Sequence, residues 1–211
     1  MLAHGWGSRA SHMAPLARQL SEAGFRVIAF DAPGHSSIDE FRETQYSSMF
    51  EFCTTISAVG KSISPVYALV GYSLGAASAA VVAAGQKKFN DKKVEAEKLI
   101  LISAPQSIAT MIKSFCRNNN LEIQDEQKLK KELQHEFDFS IEEYLTTEAV
   151  KIFNKEILLI HDNDDEEVPI NDAKEIAASS AKIKTFYSNG YGHYKVLMNR
   201  NMFSEVKKFL L

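Results

Sequence analysis

The segment Gly71-Tyr72-Ser73-Leu74-Gly75 places a serine between two glycines, after an apolar run and before a stretch of small residues. A serine on a sharp strand-to-helix turn stands exposed above the strand, where its hydroxyl can attack a carbonyl group. Glycine suits positions 71 and 75, because a larger side chain would collide with the neighbouring strand or helix. The pattern predicts Ser73 as a nucleophile, although the pentapeptide alone is also typical of an ordinary turn.

A serine hydroxyl needs a histidine to accept its proton and a carboxylate to orient that histidine. Of the six histidines, only His161 and His193 follow Ser73 and come just after an apolar, strand-like run. His193 lies in a glycine-punctuated loop that leads into a predicted helix, whereas His161 is followed directly by an acidic cluster. We therefore predict His193 as the general base and expect His161 to shape the turn that presents an aspartate.

Five motifs together extend this pattern along the chain. They are His4-Gly5-Trp6-Gly7, Asp31-Ala32-Pro33-Gly34-His35, the segment 71–75, the acidic loop from His161 to Pro169, and Gly190-Tyr191-Gly192-His193. In this order they resemble the oxyanion turn, the loop after the next strand, the nucleophile elbow, the acid loop and the base loop of the α/β-hydrolase family. The resemblance covers nearly all 211 residues, with Asp162 standing where the family's acid loop has glycine.

The resemblance implies that Asp165 is the carboxylate that orients the base, with Asp162 and Asp164 as rivals. The acidic cluster as a whole could instead be a solvated loop or cap the helix that follows Pro169.

The resemblance also implies an oxyanion hole formed by two backbone N–H groups, those of Trp6 and Leu74. His4-Gly5 could instead be a simple tight turn, and the Trp6 indole could belong to the core or to the pocket wall. We expect His35 and Asp31 to brace loops.

Composition is typical of one globular domain, since 45% of the residues are hydrophobic and 24% are charged. The formal net charge of −3 offers no basic field for nucleic acid.

The two cysteines, Cys53 and Cys116, lie on different predicted helices without metal-ligand spacing, which favours free thiols in a reducing compartment. No apolar run reaches membrane-spanning length, so we expect a cytoplasmic protein that binds neither nucleic acid nor membrane.

Strand-like and helix-like segments alternate along the chain, which predicts an α/β fold with a mostly parallel sheet and helices on both faces. The predicted strands cover 25–30, 66–70, 98–103, 156–160 and 183–187. The predicted helices cover 11–23, 47–59, 74–85, 171–179 and 195–210. We expect residues 1–211 to form a single domain.

Residues 106–155 are too many for a simple connection, and their pattern is helical at 108–116, 126–137 and 141–153. We predict that they form a small helical cap inserted in the domain. Its apolar side chains either line the substrate pocket or only pack the cap onto the sheet; they include Met111, Ile112, Phe115, Phe137 and Phe139.

The resemblance also implies strands before the turn at His4, where only Met1-Leu2-Ala3 are present. This predicts an N-terminally truncated version of the fold, unless a neighbouring segment or a second chain replaces the strands. An exposed sheet edge of this kind would pair two molecules into a homodimer.

The function predicted from these residues is cleavage of a small carboxylic ester, with a preference for short acyl chains, through an acyl-enzyme on Ser73. No metal or organic cofactor is implied. The same residues would serve a thioesterase or an amidase. A binding protein could also keep the fold without turnover. A cofactor-free haloperoxidase or dehalogenase-like activity is a further possibility, which is disfavoured because halide displacement in this fold uses a carboxylate nucleophile where this chain has Ser73.

Overall fold

Six parallel strands form one sheet in the spatial order β2-β1-β3-β4-β5-β6. The structure is a computed structural model that describes residues 1–36, 47–137, 141 and 144–211, without the side chains of residues 136 and 137. The strands are β1 (Leu2–Ala3), β2 (Ala29–Phe30), β3 (Val66–Tyr72), β4 (Ala96–Ile102), β5 (Ile157–Asp162) and β6 (Ile183–Ser188). The predicted parallel sheet is confirmed.

Helices connect the strands in the manner that parallel neighbours require. They are α1 (Ala14–Glu22), α2 (Met49–Ile63), α3 (Leu74–Ala84), α4 (Ile108–Asn118), α5 (Ile123–Phe137), α6 (Thr146–Phe153), α7 (Ile170–Ala178), α8 (Gly192–Lys195) and α9 (Arg200–Leu210). Short 3₁₀ turns at Ala10–Met13 and Val196–Met198 precede α1 and α9.

The core lies on both faces of the sheet, because successive strand residues point to opposite sides. Along β4, Leu99 and Leu101 face the layer built from α2, α3, α6 and α7, whereas Ile100 and Ile102 face the layer of α1 and α9. All four side chains are fully buried. The near-continuous apolar runs that predicted the central strands therefore arise from burial on both faces.

Helix α3 can pack closely on the sheet because it consists almost entirely of small residues, and every residue from Leu74 to Ala84 is buried. It begins directly after Ser73 and ends at Gly85, whose left-handed φ of 64° terminates the helix. The helix therefore fixes the turn that carries Ser73.

Several predicted elements differ from the observed ones in extent. Strand β2 has two residues rather than the predicted six, and the predicted helix 195–210 is divided into α8, a 3₁₀ turn and α9. The division occurs at Asn199, whose side-chain oxygen accepts hydrogen bonds from the backbone of Asn201 and Met202 and so caps α9.

The segment 106–155 contributes α4, α5 and α6, and an isolated antiparallel bridge joins Ser107 to Leu145. Helix α6 packs against α3, with Ala149 and Val150 fully buried in the core. Helix α4 lies beside the carboxyl ends of the strands, where Met111 and Phe115 reach a cavity. The division into a domain and a cap stays a prediction.

In the described part of the chain, no helix combines the length and the apolar character needed to cross a membrane. The homodimer predicted for an exposed sheet edge stays a prediction. The edge strand on the β1 side is β2, which has only two residues.

Candidate active site

The turn between β3 and α3 holds Ser73 in a strained backbone conformation. Its φ is 54° and its ψ is −125°, values that non-glycine residues rarely adopt. A Cβ atom at Gly71 would collide with the backbone of Gly75 and Ala76, and one at Gly75 would collide with the backbone oxygen of His4. The two glycines are therefore required by sterics, as the sequence predicted for such a turn.

His193 lies at the start of α8 with its imidazole between Ser73 and Asp165. The Ser73 hydroxyl donates to His193 Nε2 at 3.0 Å, and His193 Nδ1 donates to Asp165 Oδ2 at 2.8 Å. Serine and histidine are each 8% exposed and the aspartate 6%, so water has little access to either hydrogen bond. The structure thus joins the three side chains by two consecutive hydrogen bonds.

The loop after β5 presents Asp165. Its second oxygen, Oδ1, accepts from the backbone N–H groups of Val168 at 2.8 Å and Glu167 at 3.0 Å. These bonds fix the carboxylate plane, which leaves Oδ2 free to accept from His193.

The rival carboxylates, Asp162 and Asp164, do not contact the imidazole and instead bind the loop that carries it. Asp164 Oδ2 accepts from the backbone N–H of Gly190 at 2.7 Å. Asp162 Oδ1 accepts from the backbone N–H of Gly192 at 3.0 Å, and its Oδ2 accepts from the Ser188 hydroxyl at 2.6 Å. The two carboxylates join the acid loop to the base loop.

Asp162 is fully buried, and burial by itself raises the pKa of a carboxyl group. The hydrogen bonds from the Ser188 hydroxyl and from the backbone of Gly192, Asp164 and Tyr191 outweigh that effect and lower its pKa below 3.8. Asp162 is therefore ionised at neutral pH.

His161 braces the acid loop, as the sequence predicted for it. Its Nε2 donates to the backbone oxygen of Val168 at 2.8 Å, and its ring is fully buried. Burial lowers the pKa of His161, so the ring stays neutral. Its Nε2 lies 3.6 Å from Asp165 Oδ2, which is too far for a good hydrogen bond.

The turn at residues 4–7 lies against the nucleophile, since a Cβ at Gly5 would lie only 2.7 Å from Ser73 Cβ. The N–H of Gly7 donates to His35 Nε2 at 3.0 Å, and His35 Nδ1 donates to the Pro33 oxygen at 2.9 Å. His35 therefore braces this turn.

His4 holds the other side of the same turn. Its Nδ1 donates to the Gly5 oxygen at 2.8 Å, and its Nε2 accepts from the backbone N–H of Ala32 at 2.9 Å. Burial lowers the pKa of His4 and favours this neutral form. Asp31 also braces a loop, because its Oδ1 accepts from the Ala10 N–H at 2.7 Å.

The predicted oxyanion donors, Trp6 and Leu74, lie on the two segments that flank Ser73. Among the hydrogen bonds of the described residues, neither backbone N–H has an acceptor within the chain. Both groups are therefore available to a ligand. The Trp6 indole is 54% exposed and lines the cavity above the serine, so it is pocket wall rather than core.

Tyr72 contributes to the site in a way that the sequence did not indicate. Its hydroxyl donates to the backbone oxygen of His193 at 3.0 Å, and the two rings lie 5.1 Å apart between centroids. Burial, followed by the charge of Asp165, raises the pKa of Tyr72, so its hydroxyl stays protonated and remains a donor. The signal in the sequence was a tyrosine beside the nucleophile on a buried strand.

A cavity of about 460 Å³ opens above Ser73, a volume within the range of small-molecule sites. Of the cap residues predicted to line a pocket, Met111 and Phe115 do so, whereas Ile112 is buried in the core. Phe139 and the side chain of Phe137 lie outside the described part of the chain.

A parallel sheet with Ser73, Asp165 and His193 after its third, fifth and sixth strands defines an α/β-hydrolase as the class of protein. The sequence pattern of the alpha/beta hydrolase family matches residues 1–124, which is more than half of the chain. The chain therefore belongs to the alpha/beta hydrolase family. No curated protein matches it at a significant level.

Solved structures share this fold over 99% of the chain. An esterase from Pyrococcus furiosus is 19% identical with a TM-score of 0.71, and 80% of it is covered. A carboxylesterase from the thaumarchaeon Nitrososphaera gargenis is 17% identical with a TM-score of 0.70 and 88% coverage. A candidate non-heme bromoperoxidase from Mycobacterium tuberculosis is 14% identical with a TM-score of 0.71 and 90% coverage. At these identities the likeness concerns the fold alone.

Proposed function

We propose that the protein is a serine hydrolase that cleaves carboxylic esters through an acyl-enzyme on Ser73. Ser73 Oγ attacks the ester carbonyl carbon while its proton passes to His193 Nε2, and the carbonyl oxygen becomes an oxyanion. The C–O bond to the alcohol then breaks, and the imidazolium gives its proton to the departing oxygen. Water, deprotonated by His193, attacks the acyl-enzyme in the same way and releases the acid.

The observation that carries this proposal is the pair of hydrogen bonds at His193, 3.0 Å to Ser73 and 2.8 Å to Asp165. The Asp165 bond holds the proton on Nδ1, which leaves Nε2 with the lone pair that must accept the serine proton. The Asp165 carboxylate also stabilises the imidazolium that forms during attack.

The oxyanion hole in this proposal consists of the backbone N–H groups of Trp6 and Leu74. The absence of an acceptor for either group within the described chain supports this role. Leu74 is the first residue of α3, so the positive end of the helix dipole also faces the developing negative charge.

The triad would equally cleave a thioester or an amide, and oxygen esters are proposed because an esterase and a carboxylesterase share this fold with the chain. The preference for short acyl chains remains part of the proposal. It predicts that activity is highest between acetate and hexanoate and falls towards palmitate.

The test combines labelling by a fluorophosphonate probe with hydrolysis of p-nitrophenyl esters from acetate to palmitate. We expect the wild-type protein to be labelled on Ser73 and to turn over the shorter esters. Ser73→Ala should abolish labelling, and both Ser73→Ala and His193→Ala should lower kcat about 10⁴-fold or more.

Ser62→Ala is the matched control, since Ser62 is an exposed serine of α2 whose hydroxyl bonds only within its own helix. Circular dichroism on each variant would establish that it is folded. A folded wild-type protein that neither reacts with the probe nor cleaves any ester would refute the proposal and favour a binding protein on the same fold.

A further inference from the structure

The walls of the cavity above Ser73 contain large apolar side chains that the fold leaves open. Trp6 is 54% exposed, Phe115 53%, Tyr194 70% and Met198 68%. Scattered exposed apolar residues need no explanation, but a cluster around one cavity marks a binding surface. These four side chains come from three separate segments of the chain, and the fold brings them together around one cavity.

The charge of the described cavity walls is negative. Glu167 is the one acidic residue among the lining residues of the described chain, and no lysine or arginine is among them. Arg117 on α4 is turned to the backbone oxygen of Glu166, at 3.1 Å, and does not line the cavity.

The position of Glu167 is determined by its neighbours. Its backbone N–H donates to Asp165 at 3.0 Å, and its carboxylate accepts from the Asn118 side chain at 3.4 Å. The carboxylate therefore stays next to the loop of the proposed catalytic acid, close to where the ester would react. A second anion bound there would face Glu167 without a lysine or arginine of the described walls to pair with, and like charges at short range repel.

We infer that the site selects uncharged esters whose apolar group lies against Trp6, Phe115, Tyr194 and Met198, and that Glu167 disfavours esters with a carboxylate or phosphate near the scissile bond. This inference rests on the proposed ester hydrolysis and adds its substrate class. It excludes acyl thioesters of phosphate-bearing carriers as preferred substrates. A cationic alcohol is tolerated, because Glu167 attracts it.

The first experiment compares two hexanoyl esters that differ by one carboxylate, the p-nitrophenyl ester and the ester of 5-hydroxy-2-nitrobenzoic acid. We expect kcat/KM, corrected for spontaneous hydrolysis, to favour the uncharged ester about 10-fold at low salt, since two carboxylates a few ångströms apart repel in this way. The preference should shrink in concentrated salt, which screens charges. This salt measurement needs no variant.

The second experiment tests Glu167 directly. Glu167→Gln should reduce the preference for the uncharged ester about 3-fold or more, as expected when a charge at the rim of a site is removed. Glu175→Gln, at an exposed position on α7, is the control and should leave the preference unchanged.

The third experiment tests the apolar wall. Phe115→Ala should raise KM for p-nitrophenyl hexanoate about 5-fold and leave KM for the acetate nearly unchanged, because only the longer chain reaches the ring. Ile152→Ala is the control, since Ile152 is 54% exposed on α6 and does not line the cavity.

Three outcomes would overturn the inference. The first is an equal or greater kcat/KM for the anionic ester, and the second is a preference for the uncharged ester that salt and Glu167→Gln leave unchanged. The third is a Phe115→Ala variant whose KM values for the hexanoate and the acetate both equal those of the wild type. In each case labelling of Ser73 by the fluorophosphonate would persist, so the proposed hydrolase would stand. Loss of all labelling and turnover in folded protein would overturn both proposals together.

Discussion

Replacement of Asp162 by asparagine tests whether the buried carboxylate between the acid and base loops positions the general base. The carboxylate accepts hydrogen bonds from the Ser188 hydroxyl at 2.6 Å and from the backbone N–H groups of Gly192 at 3.0 Å and Asp164 at 3.1 Å. Gly192 immediately precedes His193, so a shift of this glycine moves the imidazole.

The expected loss of stability follows from these bonds. A hydrogen bond to a charged group contributes about 1.5–3 kcal/mol, and a neutral one about 1 kcal/mol. Asparagine keeps one acceptor oxygen but turns an NH₂ group towards one set of donors. With the NH₂ group towards Ser188, whose hydroxyl can accept from it, the hydrogen bonds are kept but become neutral, which predicts a decrease of about 3 kcal/mol in the free energy of unfolding.

The expected effect on catalysis is separate. If the base loop moves by a few tenths of an ångström, the 3.0 Å contact between His193 and Ser73 lengthens and kcat falls about 10- to 100-fold. KM should change little, because Asp162 does not line the cavity.

The pH dependence has a definite sign. Because the pKa of Asp162 is lowered in the folded protein, ionised Asp162 stabilises the fold fully above its usual pKa of 3.8, and this contribution is lost as the pH falls through the folded-state pKa. The difference in stability between the wild type and Asp162→Asn should therefore be largest near neutral pH and shrink below about pH 4.

The assay is urea unfolding at pH 7 and pH 3, combined with burst kinetics that count active sites with a fluorophosphonate. Asp172→Asn is the matched control, since Asp172 is also buried and accepts from Gln106 and Thr110, away from the base loop. It should lose stability and keep the wild-type kcat per active site. Wild-type kcat in Asp162→Asn, or a loss no greater than in Asp172→Asn, would refute the positioning role.

Three further predictions concern single residues. His35→Ala removes the acceptor of the Gly7 N–H and should lower kcat about 10-fold without raising KM. A rise in KM as large as the fall in kcat would contradict this prediction. Gly75→Ala places a Cβ against the His4 oxygen and should lower the free energy of unfolding in urea by more than about 3 kcal/mol. A soluble variant with wild-type stability would refute this prediction. Burial raises the pKa of Cys53 to about 12, so mass spectrometry should find it unalkylated by iodoacetamide at pH 8 until urea is added.

The central strands and the turn at Ser73 could be predicted from the sequence because their signals are local. The apolar runs at Val66 and Lys98 reflect burial on both faces of the sheet, and the glycines at 71 and 75 reflect direct backbone contact. The predicted extent of β2 was too long, because residues 25–28 are mostly apolar but only Ala29 and Phe30 form the strand.

Composition alone could not predict which of the acidic residues contacts His193. Asp162, Asp164 and Asp165 lie within four positions and have the same chemistry, so only the chain's path decides which one meets His193. The family motif pointed to Asp165, whereas the anchoring role of Asp162 depends on Gly192, a contact between residues 30 apart in sequence. The hydrogen bond from Tyr72 to His193 joins residues 121 positions apart, so the position of the tyrosine beside the nucleophile could not indicate its partner.

The sequence separation of 120 positions between Ser73 and His193 makes formation of the site a late event in folding. The nucleophile turn needs only β3, α3 and their immediate neighbours, but the base arrives with the last strand and helices, after a long loop closure. A refolding chain should therefore regain helical circular dichroism before it regains reactivity with a fluorophosphonate. Reactivity thus reports on complete assembly, and a nascent chain that does not yet include His193 would be protected from premature acylation.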